Sequence, residues 1–176
     1  VSRAAKDLKY ANIRRAVYEE TVKYAGNPSL KLTEINEHAL QHHAKWPDIG
    51  REPPNGGWDW RSFMMGKYKK ESARFELAIW HRDQLCGLSA GLPSGSKILL
   101  KIELIEGTTA SPNPLKNNIV PLTLTCAELY GIAIGSEEVR ITEPVSGLIG
   151  YYESFDYTYV AGNKRESDYL VKRIED

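Results

Sequence analysis

The stretch RFELAIWHRDQLCGLSAGLPSGSKILLKIELI, residues Arg74 to Ile105, decides how this chain folds. Phe75, Leu77 and Ile79 alternate with Glu76, Ala78 and Trp80, the two-residue period of a β-strand. His81-Arg82-Asp83-Gln84 is a polar turn, and Leu85 to Ala90 reads as the return strand of a hairpin. After Pro93-Ser94-Gly95-Ser96, the run Ile98 to Ile105 makes a third strand. Its Leu100, Ile102 and Leu104 are expected on one face, with Lys101 and Glu103 on the other.

Toward the C-terminus, a Pro- and Asn-rich loop from Gly107 to Asn118 leads into a helix with Leu122, Cys126, Leu129 and Ala133 on one stripe, closed by Gly135. Val139-Arg140-Ile141 is a short strand, and Pro144 opens a helix carrying Leu148, Tyr152 and Phe155. Tyr157 to Ala161 and Tyr169 to Ile174 are the last strands, joined by the polar turn Gly162 to Ser167. Toward the N-terminus the texture is helical. Tyr10, Ile13, Val17, Thr21 and Tyr24 give one packing face on a helix from about Ala4 to Tyr24, ended by Gly26-Asn27-Pro28. Thr33 is placed to cap a second helix, Glu34 to about Ala44. Pro47 to Gly57 holds three prolines and three glycines and reads as an irregular connection. Trp58 to Lys70 then reads as a short helix with Trp60, Phe63 and Met64 facing inward.

Three helices, three strands, helix, strand, helix and two strands make an α+β fold, a mixed α/β sandwich with a central mixed sheet, flanking helices and one parallel crossover. Residues 1–176 are expected to form a single domain, helical over 1–72 and sheet-centred over 73–176.

The 23 basic and 23 acidic side chains cancel, which argues against a broad nucleic-acid-binding face. The local cluster Lys67, Lys69, Lys70 and Arg74 reads as a solvated helix face. Cys86 and Cys126 each lie in an apolar run and read as small buried hydrophobes rather than a disulfide pair. Apolar runs fall well short of the roughly 20 residues a bilayer crossing needs, and no signal-peptide pattern opens the chain, so no membrane is implied and the expected location is cytoplasmic. His38 and His42 share a helix face with Glu34, but the spacing is not His-Glu-x-x-His, and a polar helix surface is the better reading. Ser89 and His81 lack a third partner for a hydrolase triad.

Two segments carry a family likeness. The hairpin Leu77-Ala78-Ile79-Trp80 to Gln84-Leu85-Cys86-Gly87 is one. The other runs from Arg140-Ile141-Thr142-Glu143-Pro144 to Ile149-Gly150-Tyr151-Tyr152-Glu153-Ser154-Phe155-Asp156-Tyr157. Between about Arg74 and Ala161 the chain resembles the GNAT superfamily of acyl-CoA-dependent N-acyltransferases, whose order is a short strand, two helices, three antiparallel strands, a central helix, a strand, a helix and two final strands.

The resemblance implies acetyl-CoA or another acyl-CoA as donor and an amine acceptor, a small molecule or a protein. A homodimer is compatible with it. A pyrophosphate suits backbone N–H groups at the start of a helix, so Lys116, Asn117, Asn118, Ile119 and Val120 are the implied phosphate loop. The peptide-like pantetheine arm suits a strand edge at Leu104, Ile105 and Glu106. Tyr152 matches the family's general acid for the departing thiolate, against the alternative of a core aromatic on the Leu148/Phe155 stripe. Glu103 is a candidate base for the amine, against the alternative of a solvated carboxylate or a partner for Lys101. The family's loop reads Arg/Gln-x-x-Gly-x-Gly/Ala, and neither glycine position, Asn118 or Val120, holds glycine; Asp156 likewise stands where the family has Gly. That leaves open a different anion site on the same loop, another donor, or a catalytically silent module that binds a protein or a nucleic acid.

Overall fold

In the computed structural model, which describes residues 1–48 and 50–175, the first half of the chain runs α1 (Arg3–Ala25), β1 (Leu30–Thr33), α2 (Glu37–His43), α3 (Trp60–Phe63), β2 (Phe75–His81), β3 (Gln84–Pro93) and β4 (Leu99–Gly107). The second half runs α4 (Ile119–Ile134), β5 (Glu138–Thr142), α5 (Ile149–Glu153), β6 (Thr158–Val160) and β7 (Tyr169–Arg173). A π-helical turn, Met64–Tyr68, continues α3, and a 3-10 turn, Ser146–Leu148, precedes α5. The strands form one sheet in the order β1-β2-β3-β4-β5-β7-β6, antiparallel except for β4 and β5, which pair in parallel across the α4 crossover. The fold class is thus the mixed α+β expected.

Each face of the sheet carries its own core, because β2 alternates cleanly. Phe75, Leu77 and Ile79 meet Val17 and Tyr18 of α1 and Leu124, Ala127 and Tyr130 of α4 in one apolar cluster. Ala78 and Trp80 join Leu40 of α2, Trp60 of α3 and Met64 and Tyr68 of the π turn in the other. Polar side chains anchor α1 to the sheet. Arg14, 2% exposed, donates to the carbonyls of Ser72 and Arg74 at 3.0 and 3.1 Å and to Glu34 at 3.1 Å. Tyr18 donates to the Glu76 carbonyl and Tyr130 to that of Ala73.

Several local expectations change. Residues 30–33 form strand β1 rather than the lead-in to a helix, so the N-terminal third is not purely helical. Leu30 and Leu32 pair opposite His81 and Ile79, and two apolar residues are too few to show a period. Thr33 does not cap α2. Its hydroxyl accepts from Trp80 Nε1 at 3.0 Å, and Asn36 caps the helix instead, accepting from the Ala39 N–H at 2.9 Å. The buried face of α1 is Arg14, Val17, Tyr18 and Thr21, while Tyr24 is exposed. On α4 the buried stripe is rotated toward Thr123, Leu124, Ala127 and Tyr130, and Ala133 faces solvent. The 58–70 helix is regular only over Trp60–Phe63 before the π turn, and Leu148 sits exposed on the 3-10 turn ahead of α5.

The change with most consequence lies in β4. Its register against β3 skips a residue, with Gly91 opposite Ile102 and Ala90 opposite Leu104. Glu103 is the extra residue of a β-bulge, and a bulge moves every later side chain to the other face. Leu100 and Ile102 therefore pack on the α4 side, whereas Leu104 joins the α2 side.

Candidate functional site

Beyond the bulge the sheet opens. Parallel pairing of β4 with β5 covers Leu99 to Ile102 against Glu138 to Ile141 and then stops. β5 ends at Thr142, and Glu143 turns the chain away in a left-handed conformation, φ 47°. β4 continues to Gly107 with β3 as its one strand partner among the described residues, Leu104, Ile105 and Glu106 lying opposite Ala90, Ser89 and Leu88. A stretch of strand edge in the middle of a seven-stranded sheet is thus left without a neighbour, the arrangement that accepts an extended peptide-like chain.

The start of α4 lies over the end of that edge. Ile119, its first residue, is 7% exposed because its side chain settles on two glycines; a Cβ would stand 2.7 Å from it at Gly87 and 3.4 Å at Gly107. The approach is folded on itself. Asn113 Oδ1 accepts from the Leu115 N–H at 3.0 Å, the Asn118 N–H donates to the Leu115 carbonyl at 2.9 Å, and Asn117 takes the left-handed conformation, φ 69°. Asn tolerates that region better than most side chains. Asn118, one of the two positions where the family pattern has glycine, has an ordinary φ of −106° and offers no side-chain cap. Among the described residues the N–H groups of Asn117, Ile119 and Val120 meet no acceptor, while Pro121 has none to offer. Three free donors at the positive end of a 16-residue helix are an arrangement that suits an anion, and Lys116 stands beside them exposed and without a carboxylate partner among the described residues. The side chains therefore fit a phosphate-bearing donor without the expected glycines.

Tyr152 packs in the α4-side cluster with Ile102 and Ile141, the last pair of the parallel ladder. Five tyrosines are buried: Tyr18, Tyr68, Tyr130, Tyr152 and Tyr157. Four have hydroxyl partners, in Glu76, Glu103, Ala73 and Glu128. Tyr152 has none among the described residues, and no fully buried side-chain polar atom there lacks a partner, so its hydroxyl is the part that reaches the surface. Burial, and then the neighbouring Tyr151, push its pKa up to about 12, which keeps the phenol protonated at neutral pH.

Glu103 projects from the bulge to the opposite face. Its carboxylate accepts from Lys67 Nζ at 2.8 Å and from the Tyr68 hydroxyl at 2.9 Å. Its ion-pair partner is thus Lys67 of the π turn, not Lys101. Glu103 and Tyr152 stand on the two sides of the sheet at the place where it opens.

Glu106 does more than extend the edge. The bulge turns its side chain to the α2 face, where it is 5% exposed and accepts from Trp60 Nε1 at 2.7 Å and from the Gly57 N–H at 2.6 Å. A carboxylate in the buried half of the alternation, directly before Gly107, was the signal available for it. The His43 imidazole and Glu106 line one cavity. His38 and His42 rest on the Trp80 indole, ring centroids 5.2 and 5.0 Å away. Among the described residues no group of three or more His, Cys, Asp or Glu could hold a metal. Both cysteines are buried and free, and no described helix is long and apolar enough to cross a membrane.

The architecture has clear counterparts among solved structures. Ard1 from Thermoplasma volcanium superimposes with a TM-score of 0.61 at 8% identity, covering 84% of this chain and 99% of that one. A GNAT-family acetyltransferase from Staphylococcus aureus gives 0.58 at 7% identity, over 83% and 99%. A putative N-acetyltransferase from Lactobacillus plantarum gives 0.57 at 12%, over 84% and 99%. No protein-family model matches the sequence, and no curated protein matches it either. The chain has the GNAT fold.

Proposed function

We propose that this protein is a GNAT-type N-acyltransferase that moves an acetyl group from acetyl-CoA, or the acyl group of another acyl-CoA, to a primary amine. The observation that carries this reading is the unpaired β4 edge from Glu103 to Gly107, ending under the donor-bearing start of α4. That edge would pair with the amide groups of the pantetheine arm, and the N–H groups of Asn117, Ile119 and Val120, with Lys116, would hold the pyrophosphate. A thioester supplies an activated carbonyl carbon and a thiolate leaving group. As the amine nitrogen bonds to that carbon and the carbon–sulfur bond breaks, Tyr152 donates a proton to the sulfur. Glu103, fixed by Lys67 and Tyr68, is positioned to take a proton from the nitrogen directly or through a water. The side of the sheet on which Glu103 stands is then the side from which the amine arrives.

Calorimetric titration with acetyl-CoA tests the reading. The expected result is saturable binding that is abolished in Val120→Asp, which sets a carboxylate among the free N–H donors. No heat and no thermal shift at millimolar acetyl-CoA would remove the donor site.

A further inference from the structure

We propose that the cavity at Glu106 is an ammonium-binding subsite which selects acceptors that carry a second positive charge besides the reacting amine; the acceptor part of this assignment rests on the function proposed above. The cavity, about 200 Å³, lies between the end of α2, the segment that follows it and the end of β4, and is lined by His43, Trp46, Asp48, Arg51, Glu106 and Thr109 among others.

Glu106 makes the case. A carboxylate buried this far normally faces a cation, because its desolvation must be offset by charge as well as by hydrogen bonds. Glu106 has two neutral N–H donors, Trp60 Nε1 and the Gly57 amide, and no Lys, Arg or His nitrogen within ion-pair distance among the described residues. Each oxygen keeps a lone-pair direction for a further donor. Arg51 is the nearest strong cation on the lining, and its Nη1 is committed to the Gly107 carbonyl at 2.8 Å. Asp48 adds a second negative group to the lining, and Asp59 stands close enough to His43 to act on it. Burial holds the His43 pKa below its ordinary value, against the smaller opposing pull of Glu106 and Asp59, so the imidazole brings no charge to the cavity at neutral pH. Its ring meets the Trp46 indole edge to face at 4.9 Å. Aromatic walls and a buried carboxylate without an ion-pair partner among the described residues are the chemistry that recognises an alkylammonium group.

Position separates this subsite from the reacting centre. Glu106 lies three residues along β4 from Glu103, on the order of 10 Å at strand rise. Both side chains stand on the α2 face because the bulge intervenes, so one extended diamine can address both.

The intact chain supplies the reporter. The Trp60 indole N–H, bonded to Glu106, gives its own resonance in a ¹H–¹⁵N spectrum. Titration with n-pentylammonium should shift it saturably in the millimolar range, n-pentanol should leave it in place, and Glu106→Gln should weaken the amine at least tenfold. In turnover, 1,8-diaminooctane should exceed n-octylamine in kcat/KM at least tenfold, and Glu106→Gln should erase that preference. No pentylammonium shift in the wild-type protein, or equal shifts by amine and alcohol, would overturn the subsite whether or not acetyl-CoA binds. A pentylammonium shift without acetyl-CoA binding would uphold the subsite and sink the transferase reading. A shift with acetyl-CoA turnover but no diamine preference would overturn its role in acceptor choice. Should Glu106→Gln fail to fold, the wild-type titration and the diamine ratio still decide.

Discussion

Replacing Tyr152 by Phe removes one oxygen atom and separates packing from chemistry. The ring stays in the α4-side core, and among the described residues no group loses a hydrogen bond, because none reaches that hydroxyl. Tyr130→Phe is the matched control. Its hydroxyl donates to the Ala73 carbonyl at 2.8 Å, and removing it leaves a backbone acceptor unpaired, which costs about 1–3 kcal/mol. In urea, then, Tyr130→Phe should lose about 1–3 kcal/mol and Tyr152→Phe less than about 0.5 kcal/mol. Turnover should rank the two in the opposite order. Loss of a general acid costs roughly 10²–10⁴-fold in rate, and in Tyr152→Phe the loss should fall on kcat with acetyl-CoA affinity intact. With its pKa pushed up to about 12 against about 8.5 for an ordinary thiol, the phenol passes its proton to the sulfur uphill, so its main contribution is the hydrogen bond it gives the sulfur as charge gathers there. Fluorescence-monitored urea melts and a colorimetric thiol-release assay measure both quantities on the same preparations. Equal destabilisation of the two variants would place a protein partner on the Tyr152 hydroxyl, and an unchanged kcat would exclude the phenol from the reaction.

Other substitutions probe the frame around the site. Gly87→Ala sets a Cβ 2.7 Å from the Ile119 side chain and should cost about 1–3 kcal/mol while weakening acetyl-CoA, since the start of α4 must lift; calorimetry and thermal melts read both. Gly91→Ala at the bulge should be worse, because its Cβ would meet the Lys101 carbonyl at 2.0 Å and backbone cannot swing aside as a side chain does; soluble yield and melting temperature should rank it below Gly87→Ala. Arg14→Met should destabilise by about 3–5 kcal/mol in chemical denaturation, as it strips Glu34 and the buried Glu76 of a guanidinium and frees two carbonyls. Burial raises the Cys126 pKa from 9.0 to about 12. A group raised on folding contributes its stability fully below the unfolded pKa, so stability should hold up to about pH 9 and decline toward 12. Cys126→Ala should flatten that decline in urea melts across the range.

The strands from Phe75 onward were legible because a two-residue period survives in the sequence whatever packs against it. β1 was not: four residues with two leucines read equally well as the end of a turn, and only pairing with β2 makes them a strand. Arg14 and Tyr18 escaped notice on α1 because a stripe drawn from apolar residues omits a guanidinium that is buried by its hydrogen bonds. Asn117 shows the same limit at the loop. Its left-handed conformation serves the turn, and the free N–H groups follow from the chain path, which a glycine pattern does not detect. The resemblance pointed to Tyr152, and what sets that residue apart, a buried ring whose hydroxyl has no partner among the described residues, appears only when all five buried tyrosines are compared.

A single inserted residue ties these features together. Without the bulge, the alternation of Leu100, Ile102 and Leu104 would continue to Glu106 and bury a carboxylate in the largely apolar layer under α4. Inserting Glu103 sends Leu104 and Glu106 to the α2 face, where Trp60 and Gly57 have N–H groups to give. The same kink coincides with the end of the β4–β5 ladder at Ile102 and Ile141, so the edge opens where the side chains change sides. The π turn completes the arrangement, since two consecutive residues, Lys67 and Tyr68, reach the two oxygens of the bulged carboxylate. Bulges and π turns each sacrifice regular hydrogen bonding and gather at functional sites for that reason. Here the two irregularities meet on Glu103, which makes the open edge a built feature of the fold and gives both carboxylates of the α2 face a reason to be where they are.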